Sequence, residues 1–396
     1  MKRLWVLMAT AFVDMLGFAM VFPLLPLYAL RLDAAEWVIG WMIASFSIAQ
    51  LASSPLWGRT SDYFGRRFAI LVGLGMSAVA FTIFGFAVTI GMLFLSRIVQ
   101  GLGGGTTGVL QAYVADVTEP KDRAKALGWV SAATGAGVMI GPAIGSLAFS
   151  LGPEAPGLVA AGLCLVNLTF AWKLLPESRT GSRHGAGERE AHDPERRSIR
   201  TMMLEVLQHP GREVPQLIWI YAAGMLGFMS MTGVLALYLA SDFGITEENI
   251  WVFFVYVGAI GVIMRAVMLG KLVDWLGEVK LMRVGAGLLA LGLVIIPLPH
   301  SALAMGLVLG LVPIGTACLF PAVSALVTHR APRKQLGQTL GVQQAFGGMA
   351  RVIAPLWSTA VFGALGAALP FYIAGAIVGV VWLLTFRVHP EELEAT

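Results

Sequence analysis

Charge is what this chain has least of. Only 13% of its 396 residues are Asp, Glu, Lys or Arg, against about 25% in an ordinary soluble domain. With 57% hydrophobic residues and a mean hydropathy of +0.78, a single water-soluble globule is excluded. Disorder is excluded too, since it needs low hydrophobicity and high net charge. Cysteine is equally scarce. The two present, Cys164 and Cys318, lie in apolar runs, which excludes a disulfide framework and a cysteine-rich metal site. Glycine, by contrast, is abundant at 47 residues. Small residues let helices approach closely in lipid, so the excess fits a membrane bundle.

A transmembrane helix needs about 20 predominantly apolar residues. Twelve such runs are read, at 4–30, 37–57, 68–89, 91–115, 126–150, 157–175, 215–240, 250–270, 281–299, 301–328, 337–362 and 368–387. The runs are too long, and too uniformly apolar, for the strands of a membrane barrel. The first continues into a closely spaced series of spans, so it is not a cleaved signal peptide. An even count puts both termini on one side. Of 27 Lys and Arg, Arg97, Arg265 and Arg351 lie inside spans away from their ends, Lys173, Arg283 and Arg387 sit at inner span ends, and only Arg31 lies on a connection of the other side. That bias predicts cytoplasmic termini. The net charge of +4 is thereby assigned to loops facing a negatively charged leaflet, not to nucleic acid.

The longest polar stretch, 177–214, separates six spans (1–176) from six more (215–396). It carries His184 and His192 among mixed charges, which read as a solvated linker and not as a metal site. Within it, residues 199–207 are expected to form a short amphipathic helix on the inner surface.

The two halves repeat. Asp14-Met-Leu-Gly-Phe in span 1 corresponds to Gly224-Met-Leu-Gly-Phe in span 7, at an offset of 210. Gly58-x-x-x-Asp62-x-x-Gly65 corresponds to Gly270-x-x-x-Asp274-x-x-Gly277, at 212, and Gly141-Pro142 to Ala354-Pro355, at 213. Three anchors in order at nearly one offset imply parallel repeats. Transporters built this way hold their substrate near the midplane between the halves.

Gly58-Arg59-Thr60-Ser61-Asp62-Tyr63-Phe64-Gly65-Arg66-Arg67 resembles the loop between spans 2 and 3 of the major facilitator superfamily, and the resemblance extends over the whole chain. It implies an all-α membrane protein of twelve transmembrane helices in two six-helix bundles. Gly58 and Gly65 permit the tight turn. Asp62 is expected to face the positive end of a helix starting near Gly337, and Arg66 to pair with Asp116. With Arg67 these residues would latch one conformation. A purely topogenic role for the basic residues is the alternative, and it does not use Asp62 or the glycines. Gly137-x-x-x-Gly141-Pro142-x-x-Gly145 resembles the signature of the drug:proton antiporter branch. Its glycines line one helix face and Pro142 removes a backbone hydrogen bond; ordinary helix packing is the alternative. Asp14-x-x-Gly17 with Pro23-x-x-Pro26, and Arg97-x-x-Gln100-Gly101, resemble elements of the twelve-span members of that branch, which include the tetracycline exporters.

Ionisable groups at membrane depth are costly and usually functional. Asp14 is the one acid inside any predicted span, roughly 15 Å from its inner end at 1.5 Å per residue. It is expected to carry the coupled proton, with Arg97 beside it in that role; a structural hydrogen bond is the alternative. Arginine keeps its proton at working pH, so Arg97 and Arg351 are not carriers but can bias the acid or hold an anionic group. Arg265 can snorkel to the inner surface. Position suggests Phe18, Gln50, Gln111, Tyr113, Tyr221, Tyr256, Gln343, Gln344, Phe346, Arg351 and Trp357 as a substrate cavity.

No G-x-x-x-x-G-K-[ST] run occurs, so no ATP engine is expected. Gly101-x-Gly103-Gly104-Gly105 lacks a preceding strand and is dismissed as a nucleotide loop. No catalytic set is visible, so the protein is not expected to be an enzyme or to need a metal or cofactor other than a proton gradient. The expectation is a monomeric, proton-coupled exporter of lipophilic, drug-like molecules in a bacterial-type inner membrane, contacting lipid and small-molecule substrate but not nucleic acid. Two arginines against one acid leave room for an amphipathic lipid flippase or an exporter of sugar or amino-acid-like solutes. A transporter-like sensor is the remaining rival.

Overall fold

The computed structural model describes residues 2–119, 122–178, 199–332 and 335–389. Among these there is no strand. Sixteen α-helices and one π-helical turn follow in chain order. The first half holds α1 (Lys2–Val21), α2 (Leu25–Arg31), α3 (Glu36–Phe64), α4 (Arg66–Gly85), α5 (Ile90–Gly104), α6 (Thr107–Val117), α7 (Arg123–Phe149) and α8 (Ala155–Leu174). Next come α9 (Ile199–Gln208), α10 (Glu213–Phe243), α11 (Trp251–Ile263), the π turn Met264–Met268 and α12 (Leu269–Ile295). The chain ends in α13 (Ala302–Leu309), α14 (Leu311–Arg330), α15 (Leu336–Leu365) and α16 (Leu369–Thr385).

Nine helical stretches among the described residues are long and apolar enough to cross a membrane. Three local features reconcile this number with twelve runs. Trp251–Ile295 counts once but reverses at Gly277, whose φ of 72° is non-helical. The fourth run is split between α5 and α6 at Gly105 and Thr106. The last, α16, has 17 residues.

The repeat seen in the sequence recurs in three dimensions. Gly65 (φ 100°) and Gly277 (φ 72°) both make the turn in the left-handed region, which only glycine enters without strain. At Gly17 a Cβ would press on Phe81 and Cys164; at Gly227 it would press on Leu293 and Val378, the matching positions of the second half. Gly73 and Gly103 meet where α4 crosses α5, as Gly285 and Gly315 do where α12 crosses α14, with prospective Cβ contacts of 3.1 Å or less to backbone in all four cases. Two helices thus touch through their backbones at the same place in each half.

The helices pack as two compact units. Of the described residues, one holds those up to 178 together with Leu235–Val262; the other holds 199–234 and 263–389. In the second unit α9 takes the place predicted for an amphipathic helix. Its Val206 joins Ile218, Ala222, Val342 and Phe346 in an apolar cluster, and the Trp219 indole donates to the Val206 carbonyl at 2.9 Å. His184 and His192 lie outside the described residues.

Candidate functional site

The loop between α3 and α4 is held by a network within the first unit. Arg66 reaches Asp62 at 2.9 Å and Asp116 at 3.4 Å, and donates to the Ser61 hydroxyl at 2.6 Å. The predicted pairing of Arg66 with Asp116 is therefore present. What the sequence did not suggest is Glu177. Its carboxylate accepts from the backbone N–H of Arg66 at 2.9 Å and of Arg67 at 3.2 Å. These are unsatisfied donors at the start of α4, where the helix dipole also favours an anion. Arg67 donates to the Trp172 carbonyl, and Ser178 ties Glu177 and Asp116 together from the other side. Gly58 leaves its surroundings open, whereas a Cβ at Gly65 would lie 2.3 Å from Glu177.

The glycine face of α7 is filled by α1. A Cβ at Gly137 would come 2.4 Å from the Phe12 carbonyl oxygen, at Gly141 2.7 Å from the Leu16 carbonyl, and at Gly145 2.3 Å from the Met20 carbonyl. Helix α7 runs through Pro142 without interruption.

Asp14 lies half-buried on α1. One turn before it, Asn167 of α8 donates to the Thr10 carbonyl at 3.1 Å. One turn after it, Gly17 meets Phe81 of α4 and Cys164 of α8. Arg97 is buried in α5, 1% exposed, with its guanidinium 5.9 Å from the centroid of the Phe84 ring. Its Nε and Nη2 make no hydrogen bond among the described residues, nor does the Gln100 Oε1 one turn later. No ion pair joins Asp14 to Arg97 among the described residues. The two are carried on separate helices of one unit.

Several predicted cavity residues have other work. Tyr113 is wholly buried in an apolar cluster, its hydroxyl donating to the Pro176 carbonyl; it is core, not an open wall. Gln50 donates to the Gly104 carbonyl at 3.2 Å, while Trp57 donates to Leu102 at 2.6 Å. Both satisfy carbonyls freed where α5 ends, so the glycine run 101–105 marks a helix break braced by α3. Phe18 stacks on Phe22 and packs at a tilt against Phe46. Gln111 is exposed.

In the second unit, the Gln343 side chain is fully buried and donates to the Ser324 hydroxyl at 2.8 Å. Phe346 belongs to the cluster under α9. Tyr221 packs on Phe320 at 5.2 Å and lies 3.5 Å from the exposed Gln344. Arg351, Trp357 and Tyr256 are half-buried. Arg265 lies in the π turn Met264–Met268, exposed. Such turns are rare and favour functional places; hydropathy alone carried no sign of it.

This geometry belongs with known proteins. Multidrug resistance protein 1 of Bacillus subtilis (strain 168) is 29% identical over 396 residues, covering 99% of this chain and 98% of its own. A class G tetracycline resistance protein of Vibrio anguillarum is 26% identical, covering 94% and 91%. The human organic anion transporter MFSD10 (TETRAN) superposes with a TM-score of 0.71 at 22% identity, covering 97% and 99%. Residues 7–315 match the profile described as Major Facilitator Superfamily. With most of the sequence matched, and with an all-helical fold of duplicated glycine crossings, this multi-pass membrane protein belongs to the Major Facilitator Superfamily.

Proposed function

We propose that the chain is a secondary active exporter of lipophilic, drug-like molecules, driven by proton antiport with alternating access. The observation that carries this reading is similarity along nearly the whole chain to proteins named for multidrug and tetracycline resistance. The site residues support it physically. Asp14 is the acid within the predicted spans and makes no ion pair among the described residues, so it can take up a proton from one side and release it to the other. Arg97, buried in the same unit, sets the local field around it.

Both termini face the cytoplasm of a bacterial-type inner membrane, the side to which the basic loops are retained. The Asp62–Arg66–Asp116 network then lies at the cytoplasmic end and latches one state. Access alternates by rocking of the two halves, and the protein acts as a monomer without catalysis or cofactor. Cargo binds where Tyr221, Gln344 and Arg351 offer polar groups among aromatic walls.

Purified protein in proteoliposomes tests the proposal. A pH gradient should drive accumulation of a lipophilic dye, and Asp14→Asn should abolish the gradient-dependent part while the protein still elutes as a single species. Gradient-driven transport at the unmodified rate in Asp14→Asn would sink the assignment of the proton to this residue.

A further inference from the structure

Glu247 stands out among the acids of the connecting loops. It sits between α10 and α11 in a seven-residue connection, yet it is only 7% exposed. Its carboxylate pairs with the Arg31 Nε at 2.6 Å. Its backbone carbonyl accepts from the Ser146 hydroxyl, also at 2.6 Å. Arg31 is in turn seated 4.8 Å from the centroid of the Phe149 ring. Phe149 packs edge-on against Tyr28, whose hydroxyl donates to the Pro153 carbonyl. The loop arrives pre-shaped: Gly244 turns at φ 62°, and the Thr246 N–H donates to the Asn249 Oδ1 at 2.8 Å. One residue is therefore gripped at side chain and backbone by two elements, α2 and α7.

We infer that Arg31, Ser146 and Glu247 form a clasp that holds the 244–250 loop of the second repeat on α2 and α7 of the first, and that opens once in each transport cycle. The loop and its two holders come from different repeats, and rocking of one repeat against the other has to part them at this end. The pair is suited to the task because it is half-wet. The Glu247 side chain is 9% exposed and the Arg31 side chain 50%. A fully exposed pair would hold almost nothing, and a fully buried one would be too costly to part. The clasp lies at the end of the first unit opposite the Asp62–Arg66 network, so the two contacts open alternately. The inference rests on the exporter reading, which places this end outside the cell.

The test uses the full-length protein with Cys164→Ser and Cys318→Ser, both native cysteines being buried, and with Ser146→Cys as reporter under the loop, where the side chain is 3% exposed. Membrane-impermeant maleimide is added to right-side-out and to inside-out vesicles. Arg31→Glu should raise the labelling rate in right-side-out vesicles about tenfold, since it sets two carboxylates together. The milder Glu247→Gln should raise it less, and the exchange Arg31→Glu with Glu247→Arg should bring it back. Oxidative cross-linking of Ser146→Cys to Glu247→Cys should stop efflux, and reductant should restore it. Labelling unchanged by Arg31→Glu and Glu247→Gln, or raised and not lowered by the exchange, or efflux unaffected by the cross-link, would each overturn the clasp. Labelling that responds only in inside-out vesicles would overturn the orientation, while the exchange still judges the pair.

Discussion

Replacing Gly145 by Ala tests the seam between α1 and α7. The added Cβ would lie 2.3 Å from the Met20 carbonyl oxygen and 3.0 Å from the Met20 Cα and carbonyl carbon. A carbon rests against a carbonyl oxygen at about 3.3–3.6 Å, so α1 has to retreat by about 1 Å. Backbone is on both sides, and no side-chain rotamer can absorb the difference. A gap of 0.5–1 Å forfeits about a quarter to a half of each dispersion contact, and the retreat opens the neighbouring contacts at Gly141 and Gly137 as well. Overpacking of this kind costs roughly 1–3 kcal/mol. The assay is a thermal melt in detergent followed by size-exclusion fluorescence. Gly128→Ala is the control, on the same helix and with nothing within 4 Å of its prospective Cβ. Gly145→Ala should melt several degrees below Gly128→Ala. If the two variants melt together, the seam is not where α7 is held.

Tyr113→Phe should cost about 1 kcal/mol, the net worth of one buried hydrogen bond, and leave efflux of a dye panel unchanged; a change in cargo selectivity would put Tyr113 back on the transport path. Glu177→Ala removes the anion from the start of α4 and should lower stability by about 0.5–2 kcal/mol, as lost caps do, whereas Glu177→Asp should retain part of it in the same melt. Gly65→Ala should be more damaging than Gly58→Ala, because it combines a φ of 100° with a collision against Glu177; equal expression and efflux for both would refute that account. Gly103→Val and Gly315→Val should lower the melting temperature by similar amounts if the two crossings are equivalent.

The parts of the fold that are legible in the sequence are those with chemical punctuation. Gly65 and Gly277 announce turns, Arg66 and Asp116 carry opposite charge at one end of the bundle, and Gly137, Gly141 and Gly145 announce a close approach. The partner in that approach, α1, is not legible, because lipid-facing and protein-facing positions are equally apolar in a membrane helix and no face is marked. The same blindness hides the partners of Tyr113, Gln50 and Gln343. A polar side chain in a span marks a need for a partner, and in all three the partner proved to be a carbonyl or hydroxyl of the same unit. Glu177 was missed for another reason. It looks like the first acid of a linker, and only the fold brings it beside the N–H groups of Arg66 and Arg67.

The make-up of the first unit bears on how the protein is assembled. Residues 235–262 belong to it, yet they leave the ribosome after the linker and after most of α10. The six spans made first wait in the membrane with the seats for Glu247 and Gly258 empty until the eighth span emerges. A chain severed in the linker would deliver one fragment without the segment that completes it.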